Sequence, residues 1–367
     1  MKRFVIVMLL GLCFVQYLIQ PHAYAAQMFS DRQTQGQADM RRTLDGESRM
    51  VLDVISDGED LTQSISQILR QTKQQQRGAI AEAVAALTGA AAVMLLCSCA
   101  EAFSKTSRIS PLILQLAGAL GMTAAVYQTL AGLTSLCRET TEQIQIFSKS
   151  MLPVMTTAIG LSGSPASAAL VYSGTMFALD LCISLITGVY IPAVSAYVAI
   201  LTVNTAIGND MLKRLAACVK WLITGSLRLL LTLFFFYITI SGSVSHGMDA
   251  GTVKAAKFAL NSSVPLVGNI LSGATDSVLA GAVVLKNSLG VFGMLCICAI
   301  CLVPFLRIGV NYLAFKIGAA VLSPICPKLL SGLADGIADS IGMIFGMLGS
   351  CSAILFFELV YSVVMVT

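Results

Sequence analysis

Thr252–Gly293, TVKAAKFALNSSVPLVGNILSGATDSVLAGAVVLKNSLGVFG, lies between two strongly apolar blocks and is too polar for an ordinary spanning helix. Lys254, Lys257, Asp276 and Lys286 bring charge into it. Pro265, Gly268 and Gly273 interrupt it, and Lys286–Gly290 opens the next apolar run. Polar, Pro/Gly-broken backbone survives at membrane depth only where protein or a wet cavity supports it. Placed in a bilayer, this stretch is expected to line something.

The rest of the chain supplies the bilayer context. Of 367 residues, 56% are hydrophobic and 11% charged, with mean hydropathy +0.82. Soluble domains carry about 25% charged residues. The formal net charge of +4 is spread along the chain, which excludes the clustered basic face of a nucleic-acid binder. The expectation is an all-α polytopic membrane protein with about seven or eight transmembrane helices, Pro/Gly-broken segments and interfacial amphipathic helices.

Upstream, 1–25 reads as a cleaved signal peptide. Lys2 and Arg3 precede an apolar core, and Ala23-Tyr24-Ala25 forms a small-residue site. Residues 26–78 form an exported leader, rich in Gln and charge, with two amphipathic helical patterns and too few large apolar side chains for a core of its own. The membrane domain is 79–367. Its expected spans are Ala79–Ala100, Pro111–Leu136, Ala166–Tyr190, Ile191–Ile207, Leu227–Ile240, Leu289–Val303, Leu306–Leu322 and Ile341–Val366. Met151–Leu161 is short enough to re-enter rather than cross. The same question stays open for 263–283.

Charge placement sets orientation. Lys213, Arg214, Lys220 and Arg228 form the densest basic cluster beside a span, which the positive-inside rule puts in the cytoplasm. That agrees with an exported leader only if Met151–Leu161 and its flanks cross the bilayer. Asp180 sits mid-span, either as a functional carboxyl or as a hydrogen-bonded one inside the bundle. Glu358, near the end of the last helix, is expected to snorkel to the interface. Gly332-x-x-x-Gly336 and Gly342-x-x-x-Gly346 are close-packing spacings.

Pro153 and Pro265 each open an interrupted segment, and Pro192 and Pro304 follow at one common interval. This suggests an internal repeat over 151–240 and 263–366. Paired interrupted segments point to a transport site.

No catalytic set is present in the sequence. His22 falls in the signal, leaving His246, and no Gly-x-x-x-x-Gly-Lys-Ser/Thr loop occurs. Cys296, Cys298 and Cys301 sit in an apolar run where two-residue spacing points side chains apart, so no metal site is assigned. The expectation is a non-enzyme without cofactor.

The signal, the polar leader, the block KAAKFALNSSVPLVGNILSGATDSVLAGAVVLKNSLGVFG and the late PKLLSGLADGIADSIGMIFGML followed by a last span resemble the stage III sporulation protein AE family. The resemblance covers essentially the whole chain and is most specific from Asp249 to Gly293. Asp249, Lys254, Pro265, Gly268, Asp276, Lys286, Asn287 and Gly290 match, whereas Asn269 stands where a second glycine is expected. The resemblance implies a subunit of the sporulation channel complex in the mother-cell membrane around the forespore. Its partners would be other subunits of that complex, including a separate ATPase and small membrane subunits. The candidate pore or subunit-contact residues are Asp180, Pro265, Gly268, Asp276, Lys286 and Asn287. A self-contained secondary transporter with a broken-helix site is the alternative.

Overall fold

Long apolar runs with small and hydroxyl residues, and with few glycines or prolines in succession, propagate as helix once neighbours cover their backbone. The computed structural model describes Arg42, Ala81, 84–101, 111–162, 165–263 and 268–364, with side chains described except at 111–112, 165–167, 171, 242–279, 286 and 364. The described residues are helical apart from short turns. Helix α1 is Val84–Glu101 and α2 is Pro111–Leu161. Helix α3, Pro165–Leu185, continues through a π turn at Ile186–Tyr190 into α4, Ile191–Ile207. Helices α5, α6 and α7 are Asp210–Ser263, Gly268–Leu322 and Lys328–Val364.

Six of these rods, with α3 and α4 as one, are long and apolar enough to cross a membrane. Where seven or eight spans were expected, three pairs of the expected segments run together among the described residues. Pro111–Leu136 and Met151–Leu161 are parts of a single 51-residue helix through Pro153. Ala166–Tyr190 and Ile191–Ile207 are likewise one rod, and so are Leu289–Val303 and Leu306–Leu322, which share the 55-residue α6 through Pro304. A proline removes one helical hydrogen bond and crowds the preceding turn, but neighbouring helices keep the rod continuous. At Pro192 the π turn does this locally. The Ile191 N–H bonds to the Ile186 carbonyl, five residues back.

Helix α7 forms the centre. Ile337, Ile341, Ile344, Met347, Leu348, Cys351, Ile354, Leu355 and Leu359 are all buried, with α2 to α6 arranged around them. Close approach is bought with small residues. A methyl on Gly336 would strike Leu201 of α4, and one on Gly342 would press on Tyr312 of α6, whereas Gly332 and Gly346 face open space. Each four-residue spacing therefore contributes one packing glycine. Helix α1 lies antiparallel to α2, with Gly89 against Ala125 and Gly121 against Val93.

The turns at Gly208–Asn209 and Ser323–Pro327 share one end of the bundle. Thr205 Oγ1 donates to the Leu329 carbonyl at 3.4 Å, and Ser98 Oγ of α1 to the Ile325 carbonyl at 2.8 Å. Gly208 takes φ 72°, the left-handed geometry that closes α4. The signal peptide, nearly all of the leader and Pro265 lie outside the described residues.

Candidate functional site

Of the six candidate residues, the structure describes the side chains of Asp180 and Asn287, which lie on different helices. Pro265 lies outside the described residues, Gly268 opens α6, and Asp276 and Lys286 are helical positions whose side chains are not described. Asn287, further along α6, is half-buried, and its Oδ1 is buried without a hydrogen-bond partner. Asp180 stands apart on α3. It is exposed on the outside of the bundle and accepts a hydrogen bond from Gln145 Nε2 of α2 at 3.0 Å. The reading of Asp180 as a bundle-interior carboxyl is thereby overturned.

Asp180 marks a layer with an uneven perimeter. Contacts of α3 with α5, Tyr237 Oη to the Leu170 carbonyl and Tyr190 Oη to Ser226 Oγ, set Asp180 level with the middle of 226–237. Cys182 touches Cys351 of α7, with the sulfurs 3.3 Å apart, and Phe305 of α6 packs beside Gly349. Within this layer Leu229–Ile240, Val291–Leu306 and Ile341–Phe357 carry no charge, and α5 and α6 contribute only Arg228 and Arg307 at its edge. Leu233 and Phe236 point outward at 58% and 64% exposure, as suits lipid. On α2 the same layer reads RETTEQIQIFSKS, Arg138–Ser150, and Arg138, Glu139, Glu142 and Lys149 are all exposed. Lysine, arginine or aspartate at the centre of a bilayer costs about 2.5–3.5 kcal/mol each on insertion scales. One side of the layer is therefore made for lipid and the other is not.

A second polar feature lies nearer the turn end. Asp339 of α7 bridges Lys220 of α5 at 2.6 Å and Lys316 of α6 at 3.4 Å, and Lys316 also reaches Asp335 at 3.1 Å. The four side chains are partly exposed and clamp three helices together. Sequence reasoning noted Lys220 but missed the aspartates. Their i, i+4 spacing on an amphipathic helix was the available signal.

Glu358 corrects another expectation. It is 0% exposed, with Oε1 accepting from Ser362 Oγ at 2.8 Å and Oε2 unpaired, so it does not snorkel. The cysteine run also separates as its spacing suggests. Cys296 and Cys301 face the core, and Cys298 faces out. The described residues contain no group of three or more histidine, cysteine or acidic side chains placed to hold a metal.

With this geometry in view, the comparisons with known proteins are specific. The family model of stage III sporulation protein AE matches residues 48–367. The stage III sporulation protein AE of Bacillus subtilis (strain 168) is 29% identical over 224 residues, which is 60% of this chain and 56% of that protein. The match thus spans little more than half of the relative's length. No solved structure matches. A family match over most of the chain, on an all-helical bundle with six apolar rods, places this protein in the stage III sporulation protein AE family.

Proposed function

We propose that this protein is a non-enzymatic, multi-pass subunit of the channel complex that links mother cell and forespore and sustains late forespore development. The observation that carries the reading is the family match over 48–367 on a chain whose six rods are apolar enough to cross a membrane. The protein sits in the mother-cell membrane around the forespore, with its leader exported. It works with other subunits of the complex, including a separate ATPase and small membrane subunits. The turn end, flanked by Lys213, Arg214 and Lys328, faces the cytoplasm by the positive-inside rule.

The transporter reading rested on paired broken helices. Pro153, Pro192 and Pro304 lie in continuous helix, which removes most of that support. The test is affinity purification of the tagged full-length chain from sporulating cells. Co-purification of the ATPase and the small subunits is expected. Substrate uptake by the chain alone in liposomes would instead establish a self-contained transporter.

A further inference from the structure

The uneven perimeter around Asp180 asks what covers its polar side. The interior of the layer is filled. Phe147, Ile186, Cys351 and Ile354 are fully buried, so water does not pass through one copy at this depth. Apart from Arg228 of α5 and Arg307 of α6 at one edge, the charges of the layer are on the outside, on adjoining faces of α2 and α3. Arg138 and Lys149 are eleven positions apart, about 17 Å of helix, and so within the roughly 30 Å of a hydrocarbon core. Among the described residues neither forms an ion pair, and neither does Glu142. The charges have both signs, three acidic and two basic, so an identical neighbour at the same depth meets complementary as well as like groups.

We infer that copies of this chain assemble with the α2–α3 face turned inward, enclosing a water-filled passage lined by Arg138, Glu139, Glu142, Gln145, Lys149 and Asp180. This rests on the membrane reading proposed above. One helix pair cannot enclose a passage. Repeating the same face about an axis along the membrane normal closes the wall, as cyclic assemblies of identical chains do. Water in the passage solvates the charges, while Leu233 and Phe236 on α5 face lipid. Rings of charged side chains around water pass small hydrophilic solutes and reject apolar ones. With acids in slight excess, the lining favours cations.

The test uses the full chain in membranes of sporulating cells, with the exposed cysteines Cys99, Cys218 and Cys298 replaced by serine. Single cysteines are introduced as Glu142→Cys, Gln145→Cys and Asp180→Cys, and as Leu233→Cys and Phe236→Cys for the lipid side. Each is treated with a membrane-impermeant charged methanethiosulfonate and, separately, with a short bis-maleimide. The three polar-face variants give independent readings if one fails to accumulate. The expected result is labelling of the polar face at least tenfold faster than of Leu233→Cys or Phe236→Cys, with bis-maleimide adducts at twice the chain mass. Slow labelling at all five positions means a dry face and overturns the inference while leaving the membrane reading intact. Fast labelling without a copy-to-copy adduct, or with an adduct to a different protein, overturns it too. Equally fast labelling at all five positions places the layer outside the membrane and overturns both.

Discussion

Glu358 shows how a single residue's burial depends on elements remote in sequence. It lies near the end of α7, and on that helix alone the carboxylate is one turn from the rim. However, α5 runs to Ser263 and α6 starts at Gly268, so both continue past this level and enclose it. Distance to the end of one's own helix does not measure distance to water. Ser362 donates a hydrogen bond to that carboxyl. Ser362→Ala is expected to destabilise the protein by about 0.6 kcal/mol, the average for side-chain hydrogen bonds in membranes, and by no more than about 1.7 kcal/mol, read from thermal unfolding in detergent. Two glycines form a sharper pair. A methyl on Gly174 would enter the ring of Tyr237, whose hydroxyl holds the Leu170 carbonyl, whereas one on Gly132 meets nothing within 4 Å. Gly174→Ala should cost about 1–3 kcal/mol through overpacking, and Gly132→Ala should stabilise by roughly 0.5–1 kcal/mol through helix propensity. Both are read by the same unfolding assay.

At the scale of elements, the existence of the helices was legible and their continuity was not. Hydropathy falls at Arg138–Lys149 and at each proline, and such a dip in one dimension reads as a loop. In three dimensions the polar residues of α2 occupy one outward face while Ile144, Phe147 and Met151 keep the inner face apolar, so the helix carries on. The candidate site was legible only in fragments. Asp180 stands out as a charge in an apolar run, but its outward direction depends on which side of α3 meets α5 and α7. The clamp of Lys220, Lys316, Asp335 and Asp339 draws on three helices, with Lys220 119 residues from Asp339, so the i, i+4 aspartates are legible in the sequence but their partners are not. Its weight is testable by a double-mutant cycle with Lys220→Met and Asp339→Asn. Because both side chains are partly exposed, a coupling of about 1 kcal/mol or less is expected. It should shrink as salt rises, because ions screen exposed charges.

For the whole molecule, the helix count alters the route without altering the destination. Joining Met151–Leu161 to the helix before it removes one crossing, and joining the two halves of 165–207 removes another. The two changes cancel in parity, so an exported leader and a cytoplasmic basic cluster are compatible without any re-entrant segment. Reporter fusions at Asn209 and Pro324 are accordingly expected to report one compartment, and a fusion at Ser162 the opposite one. Enzymatic reporters active on only one side of the membrane check this. The position of α7 has a bearing on biosynthesis. The helix that all the larger ones surround leaves the ribosome after them, so α2 to α6 enter the membrane around a place still vacant. Until Lys328–Val364 arrives, Leu201 of α4 and Tyr312 of α6 lack the surfaces at Gly336 and Gly342 that they pack against. Assembly of the bundle is thus a post-insertional event, and quality control in the membrane has a defined intermediate to read: four rods around an empty axis.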